Sequence, residues 1–110
     1  DETKLIARIK EIVDAELGNA ITLEMIGDMV HLHPNYVSHL FSKRTGQTLS
    51  EYIIRRRMEL AGKLLRETGL RVNDIAHMVG YQSVKHFSNL FRRVHHCSPS
   101  EYRSGLADRV

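Results

Sequence analysis

An all-α fold of seven helices is predicted by the periodicity and composition of this 110-residue sequence. Apolar residues recur at helical spacing along the chain, and no segment shows the alternation that is typical of a strand. The sequence has only two prolines and no tryptophan, and it is rich in helix formers such as Leu, Met, Arg and Glu. Most of the predicted helices are too short to persist alone, so packing between them must supply their stability.

Start and stop signals mark each predicted helix. Threonine or serine precedes several of them as an N-cap, proline suits two first turns, and glycine follows four of the ends. The expected spans are 3–17, a short helix after the N-cap Thr22, 34–45, 49–67, about 72–79, about 84–95, and a last turn from Ser98-Pro99 through Tyr102. These spans divide the chain into a first subdomain (1–48), a long linker helix (49–68) and a second subdomain (69–110).

The two subdomains repeat one another. Residues 22–52 align with 71–102 when one extra residue is allowed in the second turn, and the later parts of the two copies match at an offset of 50. The identities pair Ile26 with Ile75, Met29 with Met78, Val30 with Val79, Ser38 with Ser88, Leu40-Phe41 with Leu90-Phe91, and Ser50-Glu51-Tyr52 with Ser100-Glu101-Tyr102. We expect these positions to be buried or to cap a helix.

Each copy has the pattern of a helix-turn-helix, namely a short helix, a tight turn and a second helix. Two helices that cross closely need a small residue between them, and Gly27 and Ala76 stand at equivalent places. Gly80 suits a positive φ in the second turn. His31 stands at that place in the first turn, and histidine is one of the few other residue types that tolerate this conformation.

The charge distribution fits a polyanionic partner, and it fits ordinary solvated helix faces equally well. The net charge is +3, but residues 1–21 hold three basic and five acidic side chains, whereas residues 22–110 hold thirteen and eight. No apolar run approaches the roughly 18 residues that span a bilayer. A single cysteine, Cys97, excludes an internal disulfide and fits the cytoplasm. The sequence lacks an initiator methionine, and we expect it to be a fragment of a longer protein.

Several motifs of the second copy resemble the C-terminal DNA-binding domain of the AraC/XylS family of bacterial transcription regulators. They are Asp74-Ile75-Ala76, Val79-Gly80-Tyr81, Phe87-Ser88, Leu90-Phe91-Arg92-Arg93 and Ser98-Pro99-Ser100-Glu101-Tyr102-Arg103. The segment from Arg57 to Ala61, followed by Leu64-Leu65, resembles the linker helix of that family. The resemblance covers about residues 5–104 and departs from the family at His31 and His96, where glycine is usual. It implies a sensor domain outside this sequence, either a small-molecule-binding fold or a phosphorylatable receiver, and the motifs are most similar to those of members attached to receivers.

A helix-turn-helix places its second helix in the major groove, so exposed residues early in that helix are the expected base-contacting residues. They are Asn35, Tyr36, Ser38 and His39 in the first copy, and Lys85, His86, Ser88 and Asn89 in the second. The expected phosphate-binding residues are Lys43, Arg44, Arg92 and Arg93, with Arg55 and Arg56 as weaker candidates. Arg57 fits two roles equally well. It can bind a phosphate, or it can have a structural role in which it pairs with an acidic group or caps the end of a neighbouring helix.

Double-stranded DNA is therefore the expected partner, and RNA polymerase is expected to be contacted through the parent protein. The linker helix, about 28 Å long, would hold two recognition helices roughly 34 Å apart, one turn of DNA. We expect a cytoplasmic, monomeric domain that binds no membrane and no cofactor.

Three other functions were weighed. A zinc site lacks ligand spacing despite His95-His96-Cys97, and a cysteine enzyme lacks an orienting third group. A protein-docking module remains an alternative, because helix-turn-helix folds also serve that purpose.

Overall fold

Seven α-helices make up the regular secondary structure of the computed structural model, which describes residues 1–105. They are α1 (Glu2–Ala15), α2 (Leu23–Val30), α3 (Pro34–Thr45), α4 (Leu49–Glu67), α5 (Val72–Met78), α6 (Val84–His95) and α7 (Pro99–Ser104). No strand occurs in that range, so the all-α prediction is confirmed. The bounds of α3, α4 and α6 agree with the sequence-based spans, whereas α1 ends at Ala15 rather than at Leu17.

The chain forms two compact units, and the division between them falls inside α4. Unit 1 is Asp1–Ile54, and unit 2 begins at Arg55. The first turns of α4 therefore belong to unit 1 and the remaining turns to unit 2. The division predicted from the sequence, with residues 49–68 as a separate linker between 1–48 and 69–110, stays a prediction.

Unit 1 packs around Phe41 of α3, which is fully buried. The ring of Tyr52, from the start of α4, meets the Phe41 ring edge-on with centroids 5.3 Å apart. Such an aromatic pair adds about 0.5–1.5 kcal/mol to the stabilisation from burial alone. The other buried apolar residues of this unit are Ile9, Ile12, Val13, Leu17, Ile26, Val37, Leu40 and Leu49.

Unit 2 repeats this arrangement around Phe91 of α6. The ring of Tyr102, from α7, meets the Phe91 ring edge-on, again with centroids 5.3 Å apart. His95 packs 4.2 Å from Phe91 between ring centroids, and its Nε2 lies 3.1 Å from the carbonyl oxygen of Met58. A carbonyl only accepts, so Nε2 is the donor. The other buried apolar residues are Met58, Ala61, Leu65, Ile75, Ala76, Val79, Tyr81, Phe87 and Leu90.

The repeated Ser-Glu-Tyr block is explained by a capping box at the start of α4 and another at the start of α7. The Thr48 hydroxyl accepts from the Glu51 N–H at 3.0 Å, and the Glu51 carboxylate accepts from the Thr48 N–H at 2.8 Å. Ser98 and Glu101 make the same two bonds at 3.1 and 2.8 Å. The glutamate of each block thus closes the cap, and the tyrosine that follows packs on the core phenylalanine.

These capping boxes predict a loss of stability in acid. The backbone N–H of Thr48 holds the pKa of Glu51 below its ordinary value of 4.5, and the N–H of Ser98 does the same for Glu101. Because both values are lower in the folded state, the stabilisation is present above about pH 4.5 and is lost as the pH falls through the folded values. We expect the thermal midpoint to drop between pH 6 and roughly pH 3.

The double variant Glu51→Gln/Glu101→Gln is the matched control for this acid effect. Glutamine still completes a capping box but does not titrate. Its midpoint is expected to depend less on pH than that of the wild type. An unchanged pH dependence in the variant would contradict the assignment.

Two histidines adopt the left-handed backbone conformation that glycine usually supplies. His31 ends α2 with φ 60° and ψ 41°, and His96 ends α6 with φ 62° and ψ 21°. Within residues 1–105 they are the only non-glycine residues with positive φ. The positive φ predicted for His31 and for Gly80 is confirmed, and His96 keeps the turn in spite of its departure from the family pattern.

Replacing His96 with glycine is expected to stabilise the protein by about 1 kcal/mol, and His31→Gly by a similar amount. The left-handed region costs a side chain-bearing residue about 1–2 kcal/mol, and the greater entropy of unfolded glycine offsets part of the gain. The thermal midpoint should rise by roughly 4–8 °C per kcal/mol. The control His39→Gly, inside α3, should instead lose about 1 kcal/mol. A lower midpoint for His96→Gly would contradict this interpretation.

The prediction for the repeat is wrong at two pairs of positions. Ser50 and Ser100 are exposed, and the neighbouring caps are made by Thr48 and Ser98 instead. Met29 and Met78 were expected to be buried or to cap a helix, but their side chains are 43% and 48% exposed. In α2 the buried residues are Ile26 and Gly27, and in α5 they are Ile75 and Ala76. The buried stripe is therefore centred nearer to the small residue than apolar periodicity alone indicates, which moves each methionine to the edge.

Candidate nucleic-acid interface

Helix α3 buries one face in unit 1 and leaves its opposite face exposed. Pro34 begins the helix, and Val37, Leu40 and Phe41 form the buried stripe. Of the residues predicted to contact bases, Asn35, Tyr36 and His39 are exposed, and Ser38 is half-buried. The three exposed side chains lie in the first half of the helix, where base contacts are made in a helix-turn-helix.

Helix α6 has the same organisation in unit 2. Phe87, Leu90 and Phe91 are buried, and the helix begins after the N-cap Ser83. The predicted base-contacting residues Lys85, His86 and Asn89 are exposed, whereas Ser88 is half-buried like its counterpart Ser38. The two serines therefore stand at the boundary between the core and the exposed face.

The ring of His86 is oriented by a neighbouring aromatic residue. It meets the ring of Tyr81 edge-on with centroids 5.5 Å apart, and Tyr81 is itself only 7% exposed. The ring of Tyr81 also packs near that of Phe87, with centroids 5.9 Å apart. Part of the His86 surface is thus used for packing in unit 2.

The cationic side chains near the ends of α3 and α6 differ between the two units. Lys43 and Arg44 are both exposed at the end of α3, but Arg44 makes an ion pair with Glu2 of α1. Arg92 and Arg93 are exposed in the last turns of α6. Arg92 contributes, as the smallest of several causes, to lowering the pKa of Glu101, whose main cause is its bond to the Ser98 N–H.

The arginines of α4 are engaged within their own unit. Arg55 and Arg56 both reach Glu59, with N···O distances of 3.0 and 3.5 Å. These contacts support their lower rank as phosphate-binding candidates. Arg57 has a structural contact that the sequence did not indicate. Its guanidinium carbon lies 5.3 Å from the ring centroid of Tyr81.

The Tyr81 hydroxyl responds to this environment. Burial raises the pKa of Tyr81, and the positive charge of Arg57 opposes that rise. A half-buried guanidinium over a tyrosine face is a cation–π contact, which contributes about 0.5–2 kcal/mol depending on desolvation. Arg57 is therefore part of the packing of unit 2.

A helix end is capped by an arginine that sequence reasoning did not single out for this role. Arg103 donates from Nε to the carbonyl oxygen of Leu65 at 3.1 Å and from a terminal nitrogen to that of Thr68 at 3.3 Å. These carbonyls at the end of α4 have no partner in the helix itself. The only signal in the sequence was the place of Arg103 within the family-like motif Ser98–Arg103.

The two recognition helices begin with different capping groups. At the start of α6, the Ser83 hydroxyl accepts from the His86 N–H at 3.1 Å. At the start of α3, Nδ1 of His33 accepts from the Asn35 N–H, also at 3.1 Å. The cap of α3 is therefore an imidazole next to a predicted base-contacting residue.

Residues 1–105 contain no group of three or more His, Cys, Asp or Glu side chains placed to hold a metal ion. In the same range, no helix has the length and apolar character required to cross a membrane.

A family model described as a helix-turn-helix domain matches residues 26–105, which include both helix pairs. The regulatory protein SoxS of Salmonella typhimurium is 34% identical over 103 residues, covering 94% of this chain and 96% of SoxS. The chain belongs to the AraC family of helix-turn-helix transcription regulators. The resemblance found in the sequence motifs is thereby confirmed.

The chain is also similar to other transcription regulators and to solved structures. The HTH-type transcriptional regulator YijO of Escherichia coli is 36% identical over 90% of this chain. The C-terminal domain of AraT, a response regulator from Geobacillus stearothermophilus, superimposes with a TM-score of 0.87 and 28% identity, covering 91% of this chain and 84% of that domain. The DNA-binding domain of AdpA, solved in complex with a target DNA, shares the fold with a TM-score of 0.85 at 22% identity, covering 94% of each chain.

This AraC-family chain corresponds to only part of some relatives. It spans 35% of YijO and 12% of YtdP from Bacillus subtilis, although it spans almost all of SoxS. What the comparisons establish is an AraC-type DNA-binding domain of transcription regulators.

Proposed function

We propose that α3 and α6 each enter the major groove of double-stranded DNA, so that one molecule contacts two adjacent groove segments of an asymmetric site. The observation that carries the proposal is the same in both units. Each helix buries a Leu-Phe stripe in its own core and exposes polar side chains in its first half. This is the arrangement by which a helix-turn-helix presents side chains to base edges.

The exposed side chains have suitable chemistry for base contacts. Asn35 and Asn89 can each donate and accept with one adenine, and Lys85 can donate to O6 or N7 of guanine. Tyr36, His39 and His86 extend these surfaces. The half-buried Ser38 and Ser88 have less reach, so their hydroxyls are suited to a base or phosphate that approaches closely.

Phosphate binding is assigned chiefly to Lys43, Arg92 and Arg93, which are exposed at the ends of the recognition helices. Arg44 joins them by exchanging its ion pair with Glu2 for a phosphate. Arg55 and Arg56 contribute less, because Glu59 already neutralises part of their charge.

The proposal extends to the cellular role of the chain. It acts as a monomeric, non-enzymatic DNA-binding domain in the cytoplasm, and it contacts RNA polymerase through a parent protein that carries a sensor or receiver domain. The support for the last point is the similarity to AraT, which is described as a response regulator.

Selection from a random duplex library at about 100 mM salt tests the proposal and defines the site. The domain is expected to recover two short conserved blocks. Asn35→Ala should relax preference in one block, and Lys85→Ala or Asn89→Ala in the other, each at a cost of about 1–3 kcal/mol in binding free energy. Lys63→Ala, which removes an exposed lysine of α4, is the control and should retain both preferences.

Weak and equal affinity for every duplex would overturn the proposal and would favour a protein-docking function. Recovery of a single block, unaffected by the variants of the other helix, would restrict base contact to one unit.

A further inference from the structure

The N-caps of α3 and α6 use different chemical groups as hydrogen-bond acceptors. His33 has the extended backbone of an N-cap, with φ −64° and ψ 137°, and its Nδ1 accepts the Asn35 N–H. Ser83 occupies the equivalent place before α6 and uses a hydroxyl oxygen. A hydroxyl accepts hydrogen bonds at any physiological pH. An imidazole nitrogen accepts only in the neutral ring, because both nitrogens of the protonated ring are donors.

Protonation of His33 would act on the first turn of α3 in two ways. The Asn35 N–H would lose its acceptor, since the first N–H groups of a helix have no partner within the helix. A positive charge would also be placed at the end of the helix where the dipole is positive, which is unfavourable. Both effects loosen the turn that holds Asn35.

We propose that His33 is a positioning residue for DNA recognition by unit 1, whose neutral ring holds Asn35 in helical geometry and whose protonation releases it. The inference rests on the proposed base contact of Asn35. It gives the two recognition helices different responses to pH, because the Ser83 cap of α6 does not titrate.

The charged and titratable residues of the elements at this end of α3 are few. The element packed against this end of α3 is α2, where Gly27 lies against Pro34, and its charged residues are Glu24 and Asp28. The turn contributes His31, and the first turns of α3 contribute Tyr36 and His39. Within residues 1–105, none of these five side chains is joined to His33 by a hydrogen bond or an ion pair.

The cap itself is tested on the domain without DNA, by following the Asn35 amide by NMR between about pH 5.5 and pH 8. The wild-type amide should shift and lose protection from hydrogen exchange in step with titration of the His33 ring. His33→Ser reproduces the Ser83 cap and should make the amide insensitive to pH. If the Asn35 amide does not follow the His33 titration in the wild type, the proposal is wrong.

The positioning role is tested by affinity for the duplex recovered in the selection experiment. At about pH 8 the wild type and His33→Ser should bind the duplex with equal affinity. At about pH 5.5 the wild type should bind about fivefold more weakly than His33→Ser, the factor expected for the loss of one cap. His33→Ala has no acceptor and should be about fivefold weaker than His33→Ser at both pH values. Each affinity is expressed as a ratio to that of His33→Ser at the same pH, which removes the effects of pH that the two proteins share.

The outcomes separate the two proposals. If a duplex is selected but the ratio of wild-type to His33→Ser affinity does not change with pH, the positioning role is wrong. Base contact by Asn35 is unaffected by that result. If no duplex is preferred, the proposed base contact fails and the positioning role fails with it, while the NMR titration still decides whether the imidazole caps α3.

Discussion

Replacing Gly27 with alanine is expected to lower the free energy of unfolding by about 3 kcal/mol. A Cβ atom at this position would lie 2.6 Å from the carbonyl oxygen of Leu32, with the nitrogen of Pro34 at 3.4 Å. The obstructing oxygen belongs to the backbone, and the turn is further fixed by the bond from the Leu32 N–H to the Gly27 carbonyl at 2.9 Å. The gain of about 1 kcal/mol in helix propensity is therefore outweighed by the distortion of the turn.

Two variants control for the general effect of exchanging glycine and alanine. Gly69→Ala adds a Cβ with nothing within 4 Å and should change stability little or increase it slightly. Ala76→Gly, at the equivalent position of the second unit, also removes a buried methyl group and should cost about 2 kcal/mol. Urea denaturation measures all three. A Gly27→Ala variant as stable as Gly69→Ala would show that the turn of unit 1 can move away.

Removing the arginines at the end of α6 is expected to change the salt dependence of DNA binding. Each phosphate contact that is lost reduces the slope of log affinity against log salt by about 1, so Arg92→Gln/Arg93→Gln should reduce it by roughly 2. Because the effect is independent of sequence, affinity should fall for specific and unrelated duplexes alike. Titrations at several salt concentrations with both kinds of duplex give the two slopes.

Arg55→Gln/Arg56→Gln is the matched control, because it removes the same number of positive charges from α4. These arginines share Glu59, so their removal should change the slope by much less than the α6 variant does. Equal slopes for the two double variants would place the phosphate contacts elsewhere, or on both helices.

The features that sequence reasoning predicted well are local in the chain. The bounds of α3, α4 and α6, the N-cap Thr22 and the positive φ of His31 depend on neighbouring residues, and each is confirmed. The contacts of Arg57 and Arg103 were not predicted, because their partners Tyr81 and Leu65 are distant in sequence. Only the packed fold decides which aromatic face or helix end a long arginine reaches.

The exposure of Met29 has a related explanation. Counting apolar residues places Met29 in line with Ile26, but the close approach at Gly27 turns the buried face toward a residue with no side chain. Glycine carries no hydrophobic signal, so the centre of the stripe is misplaced when it is found from apolar residues alone. The exposure of Asn35, Lys85 and Asn89 was predictable for the opposite reason, because strongly apolar neighbours define the buried face of α3 and α6.

Helix α4 is held at its two ends by groups from different copies of the repeat. Its first turn is fastened by Thr48 and Glu51, as α7 is by Ser98 and Glu101, while its last carbonyls are closed by Arg103. One helix thus serves as the final element of the first copy and the opening element of the second. Each compact unit contains part of α4, so we expect a fragment of either unit to need its own part of this helix in order to fold.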